Sequence, residues 1–223
     1  MHIDEAIRSR RSVRAFLDTR VAENLLRDSI ELAARAASGG NLQPWRIVAV
    51  TGDALADIRA RVATRLTEQP DGEPGDYEIY PPALWEPHRT ERFAIGESLY
   101  DLLGIAREDK AGRKKWFERN FDFFGAPVGL FCFVDRRMGR PQWSDLGMYL
   151  QTLMLVLRGK GLDSCAQECW SLYNRTIASA LQVPPELMLF CGMAIGYADN
   201  EAAANRLQTR RLSLDQFAEF HGF

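Results

Sequence analysis

The sequence is poor in the residues that build metal centres and covalent staples. Its four cysteines (Cys132, Cys165, Cys169, Cys191) and three histidines (His2, His88, His221) are scattered over 223 residues. They form no CxxC pair and no Cys/His zinc spacing, so no metal site and no disulfide framework is expected. A chain of this length needs neither, because its core buries about 70–75% of the unfolded surface. Lysine is scarce (Lys110, Lys114, Lys115 and Lys160), and the remaining basic residues are arginine. An excess of one charge is missing too: Lys+Arg 28 against Asp+Glu 30 leaves a net −2. That balance argues against a general nucleic-acid binder or a membrane-surface protein. The longest apolar run, Val128 to Val134, is strand-sized and far short of a membrane span. Met1 to Glu5 is already charged and has no apolar signal core, so a cytoplasmic, reducing location is expected. No Walker loop, no Gly-x-Gly-x-x-Gly after a strand, no Gly-x-Ser-x-Gly and no His-Glu-x-x-His is present. Any phosphate is therefore expected on arginine side chains rather than in a glycine-rich cradle.

The chain has 46% hydrophobic residues, ordinary for a globular protein. Its length predicts a single domain over 1–223, with an irregular insertion at about 69–124 opened by Pro70, Pro74, Pro81, Pro82 and Pro87. Apolar spacing predicts a short first helix near 3–7, a second over 22–37 and a third from Asp53 to about Leu66. Further helices are expected near 91–107, 110–122, 144–160 and 174–182. Strands are expected at 45–50, 127–134, 163–167 and 187–195, and Ser213 with Gln216 fits a capping box. Strands separated irregularly by more abundant helices predict an α+β fold. Its sheet is expected to be mixed, of about 4–5 strands surrounded by helices.

Four segments carry candidate chemistry. In an extended stretch, Arg10, Ser12 and Arg14 point to one side and could close on a compact anion. Arg11 faces the other way or is shared. Charge-assisted bonds of that kind contribute about 1.5–3 kcal/mol each; a solvated basic turn is the plain alternative. Ser38, Gly39, Gly40, Asn41 and Gln43 lie between a helix and a strand. The glycines permit close backbone approach to a ligand, and a polar turn accounts for them equally. Asp163 to Trp170 reads as a strand running out at a sheet end, a common ligand position. Cys165 and Cys169 within it have no neighbouring histidine and read as buried hydrophobes. Arg206, Arg210 and Arg211 crowd the C-terminus, so arginines from both chain ends could meet on one phosphate.

Taken in order, these segments resemble the nitroreductase family of FMN-dependent flavoenzymes over nearly the whole chain. Arg10-Arg11-Ser12-Val13-Arg14 and Asn41-Leu42-Gln43-Pro44-Trp45 are similar to its first two flavin motifs. Gly125-Ala126-Pro127-Val128 and Gly161-Leu162-Asp163-Ser164-Cys165 are similar to its core strand entries. The segment from Ile79 to Gly104 resembles the insertion of nitrobenzoate-type members. Ala166, Ser213 and the turn at 37–39 depart from residues common in the family.

The resemblance implies an α+β homodimer with FMN at the subunit interface. It implies that Arg10, Arg11, Ser12, Arg14 and Arg210 or Arg211 hold the phosphate and ribityl chain. Ser38, Gly39, Asn41 and Gln43 would approach from the partner subunit. Backbone groups of Ala166, Gln167 and Glu168 would line the ring, with the Glu168 N–H on flavin N5, and Asn120 is a candidate for the pyrimidine edge. Tyr80, Trp85 and Phe124 are candidates for the acceptor pocket. The implied activity is transfer of two electrons from NAD(P)H to a nitroaromatic or quinone-like acceptor by a ping-pong mechanism, with no catalytic acid or base from the chain. Alternatives are a specialised relative (reductive dehalogenase, flavin-fragmenting or enoyl-type reductase) and a non-catalytic flavin-binding protein. Arg89, Arg92 and Arg119 fit a carboxylated aromatic, or else are solvated or paired with Glu86, Glu91 and Glu118.

Overall fold

The computed structural model describes residues 1–223. Strands β1 (Arg46–Thr51), β2 (Val128–Asp135), β3 (Asp163–Gln167) and β4 (Leu187–Gly196) form one sheet of order β1-β2-β4-β3. Neighbouring strands pair antiparallel throughout; the parallel component is the isolated bridge between Ser12 and Ser164. Helices α1 (Ile3–Ser9), α2 (Glu23–Ala33), α3 (Gly52–Glu68), α4 (His88–Leu102), α5 (Lys110–Glu118), α6 (Arg140–Gly159) and α7 (Asn174–Ala180) surround it.

The alternation of β2 builds two apolar layers. Val128, Leu130, Cys132 and Val134 meet Leu146, Tyr149, Leu153 and Leu157 of α6, which recur at helical spacing. Phe131 and Phe133 face the other way, against Leu55, Ile58 and Val62 of α3. Gly129 lies on that second face, where a Cβ would come within 2.6 Å of the Phe123 ring, so only glycine fits.

Several boundaries differ from expectation for local reasons. Helix α2 ends at Ala33 rather than near 37, as Ala34 and Ala36 switch to shorter turn bonds onto Glu31 and Ala33. Helix α3 starts at Gly52, which places Asp53 in the first turn, where its charge complements the helix dipole. Residues 69–87 contain no helix or strand, whereas α4 and α5 make up most of the rest of the insertion. After α5 the chain tightens into a 3-10 segment over Arg119–Gly125, and left-handed φ values at Phe123, Phe124 and Gly125 (50°, 55° and 81°) turn it towards β2. The irregular stretch is tied down at the buried Glu73. Its carboxylate accepts from the Arg175 and Thr176 N–H groups at 2.8 and 3.1 Å, and from the Thr176 hydroxyl at 2.5 Å. No helix is long and apolar enough to cross a membrane.

Candidate functional site

The first half of the site is where the two ends of the chain meet. Val13 N–H donates to Ser164 O at 3.1 Å, so the segment after α1 runs beside β3. Phe16 bridges to Ala198, and Leu17 N–H donates to Tyr197 O at 2.9 Å. Buried Asn205 fastens the junction: its Oδ1 accepts from Arg14 N–H at 2.7 Å, and its Nδ2 donates to Ala15 O and Asp199 O at 2.8 and 2.7 Å. Nothing in the sequence singled out Asn205; its importance lies in contacts some 190 residues away.

Alternation then aims Arg10, Ser12 and Arg14 to one side. All three act on the Cys165 thiol. Burial raises its pKa, and the Arg14 charge, a hydrogen bond with Ser12 and the Arg10 charge oppose that rise. Cys165 is fully enclosed, which removes it as a nucleophile. Burial, followed by repulsion from Arg211, lowers the Arg10 pKa, so these two guanidiniums from opposite chain ends are electrostatic neighbours. Neither is paired with a carboxylate. The Arg211 guanidinium hydrogen-bonds the hydroxyl and carbonyl of Thr209 and the carbonyl of Arg210, and the Arg14 guanidinium donates to Ser12 O at 3.3 Å. Like charges gathered without a counter-charge make a place for an anion. Arg210 is spent elsewhere, on Glu91 of α4. Arg11 is set apart too, donating to Asn200 Oδ1 at 2.9 Å.

The second half lies further along the same strand. A cavity of about 440 Å³ is lined by Tyr80, Arg92, Phe117, Asn120 and the stretch Ala166–Cys169, a size suited to a small-molecule ligand. Gln167 lies three residue steps beyond Ser164, about 10 Å of strand. Gln167 is itself buried: Nε2 donates to Asn120 O at 2.8 Å, and Oε1 accepts from Trp170 Nε1 at 3.3 Å. Its side chain is thus occupied within the protein, at a strand end whose residues 166–168 line the cavity. Trp170 stacks on Phe123 and would meet a Cβ at Gly192 within 2.2 Å, which fixes the strand end rigidly. Glu168 is exposed as a residue, yet the walls around its carboxyl withdraw it from water and push its pKa up.

Ser38, Gly39, Asn41 and Gln43 stand apart from this constellation within the chain. They precede β1, at the opposite sheet edge from β3 and three strand spacings away, about 14 Å. Their turn holds left-handed φ values at Gly40, Asn41 and Gln43 (56°, 56° and 48°). Gln43 N–H donates to Ser38 Oγ at 3.1 Å, and Gly39 N–H to Asp145 of α6 at 3.2 Å.

Two acceptor candidates are misplaced. Phe124 is 2% exposed and packed in the core near Trp116, because the left-handed turn at 123–125 points it inward. Trp85 is exposed, stands edge-on to His88 and lies outside the cavity. Tyr80 does line it, joined by Phe117, a partly exposed aromatic of α5 that the sequence left among ordinary helix residues.

Comparisons with known proteins extend over most or all of the chain. The pattern of the Nitroreductase family matches residues 7–197. A nitrobenzene nitroreductase of Ectopseudomonas oleovorans is 37% identical over 98% of this chain and 96% of its own length. A 4-nitrobenzoate reductase of Pseudomonas putida is 36% identical over 99% and 96%. The crystal structure of NfnB from sphigopyxis sp. strain HMH, described as an FMN and NADPH-dependent nitroreductase, superposes with a TM-score of 0.97 at 47% identity over 100% of both chains.

Proposed function

Since this chain belongs to the nitroreductase family, we propose that it is an FMN-dependent oxidoreductase passing two electrons from NAD(P)H to a nitroaromatic acceptor. The observation that carries this reading is the pair of features along β3. Unpaired Arg10, Arg14 and Arg211 stand beside Ser12 at one end, and an open cavity walled by 166–168 lies at the other. An elongated ligand with an anionic tail and a flat ring fits that spacing, and so the donor set fits FMN.

Arg10, Arg14 and Arg211, with the Ser12 hydroxyl, would hold the phosphate. Asn205 fixes the Arg14 backbone, so this cradle is set before the ligand arrives. Gln167 and Asn120 brace the strand end that orients the ring, and the Glu168 N–H is the candidate donor to its central nitrogen. FMN, when bound, supplies the two-electron relay between nicotinamide and acceptor. The chain's own task is to bind, orient and exclude water. Donor and acceptor would take turns at this cavity, as a ping-pong scheme requires. Ser38, Gly39, Asn41 and Gln43 would complete the site from a partner subunit, since they sit at the far sheet edge. Exposed Leu214, Phe217, Phe220 and Phe223 in the C-terminal tail supply apolar surface for such a homodimer.

The test is to purify the protein and record its spectrum and mass. A yellow dimer that is bleached by NAD(P)H and recovers its absorbance with nitrobenzene over many turnovers is expected. A colourless protein that ignores added FMN overturns the reading. Stoichiometric reduction without turnover would instead identify a flavin carrier.

A further inference from the structure

The insertion carries one guanidinium whose role the family reading leaves open. Among the arginines that suit a carboxylated aromatic, Arg89 is paired with Glu86 at 2.7 Å. Arg119 is stacked on Trp116, its guanidinium 4.9 Å from the ring centroid. Arg92 differs. It lines the cavity beside Gln167 and Glu168, and its Cζ lies over the Tyr80 ring, 4.1 Å from the centroid. It has no hydrogen-bond or ion-pair partner. Of the three acids on its own helix, Glu91 pairs with Arg210 and Glu97 with Arg113, and Asp101, nine residues further on, makes no ion pair with Arg92. Contact with the ring face restrains the guanidinium while its N–H groups keep no hydrogen-bond partner, a state that favours charge-assisted binding of a planar carboxylate. Glu168 is the only other charged wall residue, and it is not paired with Arg92.

We propose that Arg92 is a specificity-determining residue that selects nitroaromatic acceptors bearing a carboxylate. A flat ring packed beside Tyr80 could place its carboxylate on Arg92 and turn its opposite, nitro-bearing end towards 167–168. This assignment rests on the flavin reading above. It separates two activities that overall similarity does not, because the nitrobenzene and 4-nitrobenzoate reductases are almost equally identical to this chain.

The test uses the holoenzyme and the variants R92Q, R92K and R89Q. The ratio of kcat/KM for 4-nitrobenzoate to that for nitrobenzene is measured in each. Loss of a charge-assisted fork should lower the ratio in R92Q about 10- to 100-fold. R92K should recover part of it, and R89Q should keep it. Benzoate binding by calorimetry should weaken in R92Q by a similar factor, a readout available even for a flavin-free protein. An unchanged ratio, or an equal fall in R89Q, overturns the proposal. So does a rise in KM for NADPH but not NADH with an unchanged ratio, since the anion read by Arg92 would then be the nicotinamide's phosphate. Failure of the flavin reading shows separately, as wild-type protein without FMN or without reduction by NAD(P)H.

Discussion

Removing the Asn205 side chain is the sharpest test of how the two chain ends build the phosphate cradle. In Asn205→Ala, Arg14 N–H loses its acceptor, and the carbonyls of Ala15 and Asp199 lose their donor. At about 1 kcal/mol net for each bond, the loss is about 3 kcal/mol. For a chain of this size each kcal/mol moves the melting temperature by about 2–4 °C, so a fall of about 6–12 °C is expected. Asn205→Asp should lose at least as much. It keeps an acceptor for Arg14 N–H but sets a second oxygen against two carbonyls. Circular dichroism melts of the flavin-free protein measure this directly, and the flavin-to-protein absorbance ratio reports the second consequence. With Arg14 no longer anchored, less FMN should survive purification than in the surface control Lys114→Ala. A melting temperature within about 1 °C of wild type, together with full flavin content, would refute the reasoning.

Other consequences are as concrete. Arg211→Ala should lose more FMN on purification than Arg210→Ala, because Arg210 is committed to Glu91; equal occupancy would contradict the assignment. Glu73→Ala removes the acceptor of two backbone N–H groups and a hydroxyl, and should cost about 3 kcal/mol. It should also expose 69–87 to limited proteolysis, and an unchanged digestion pattern would count against Glu73 as the anchor. Burial raises the Glu168 pKa above its ordinary 4.5, so the folded state binds that proton more tightly than the unfolded chain. The stability this contributes is complete below the unfolded value and is lost as pH rises through the folded one. Relative to wild type, Glu168→Gln should therefore gain in melting temperature as pH rises from 4 to 7, whereas a constant difference would show that the carboxyl is not withdrawn from water.

Local pattern alone determined the four strands, the apolar face of α6 and the alternation that aims Arg10, Ser12 and Arg14 to one side. These follow from periods of two and about four residues that need no distant partner. The ordered motifs were legible for the same reason, each being contiguous. Tertiary structure decided what those residues meet. Arg211 rather than Arg210 is free because Glu91 reaches Arg210 from 119 residues away. Phe124 leaves the acceptor wall for the core because a left-handed turn redirects it. Asn205 becomes the clamp, and Arg92 stays unpaired, through contacts that no window of sequence contains. Charge pairing and burial are properties of neighbours in space, whereas backbone preference and amphipathic spacing are properties of neighbours in the chain.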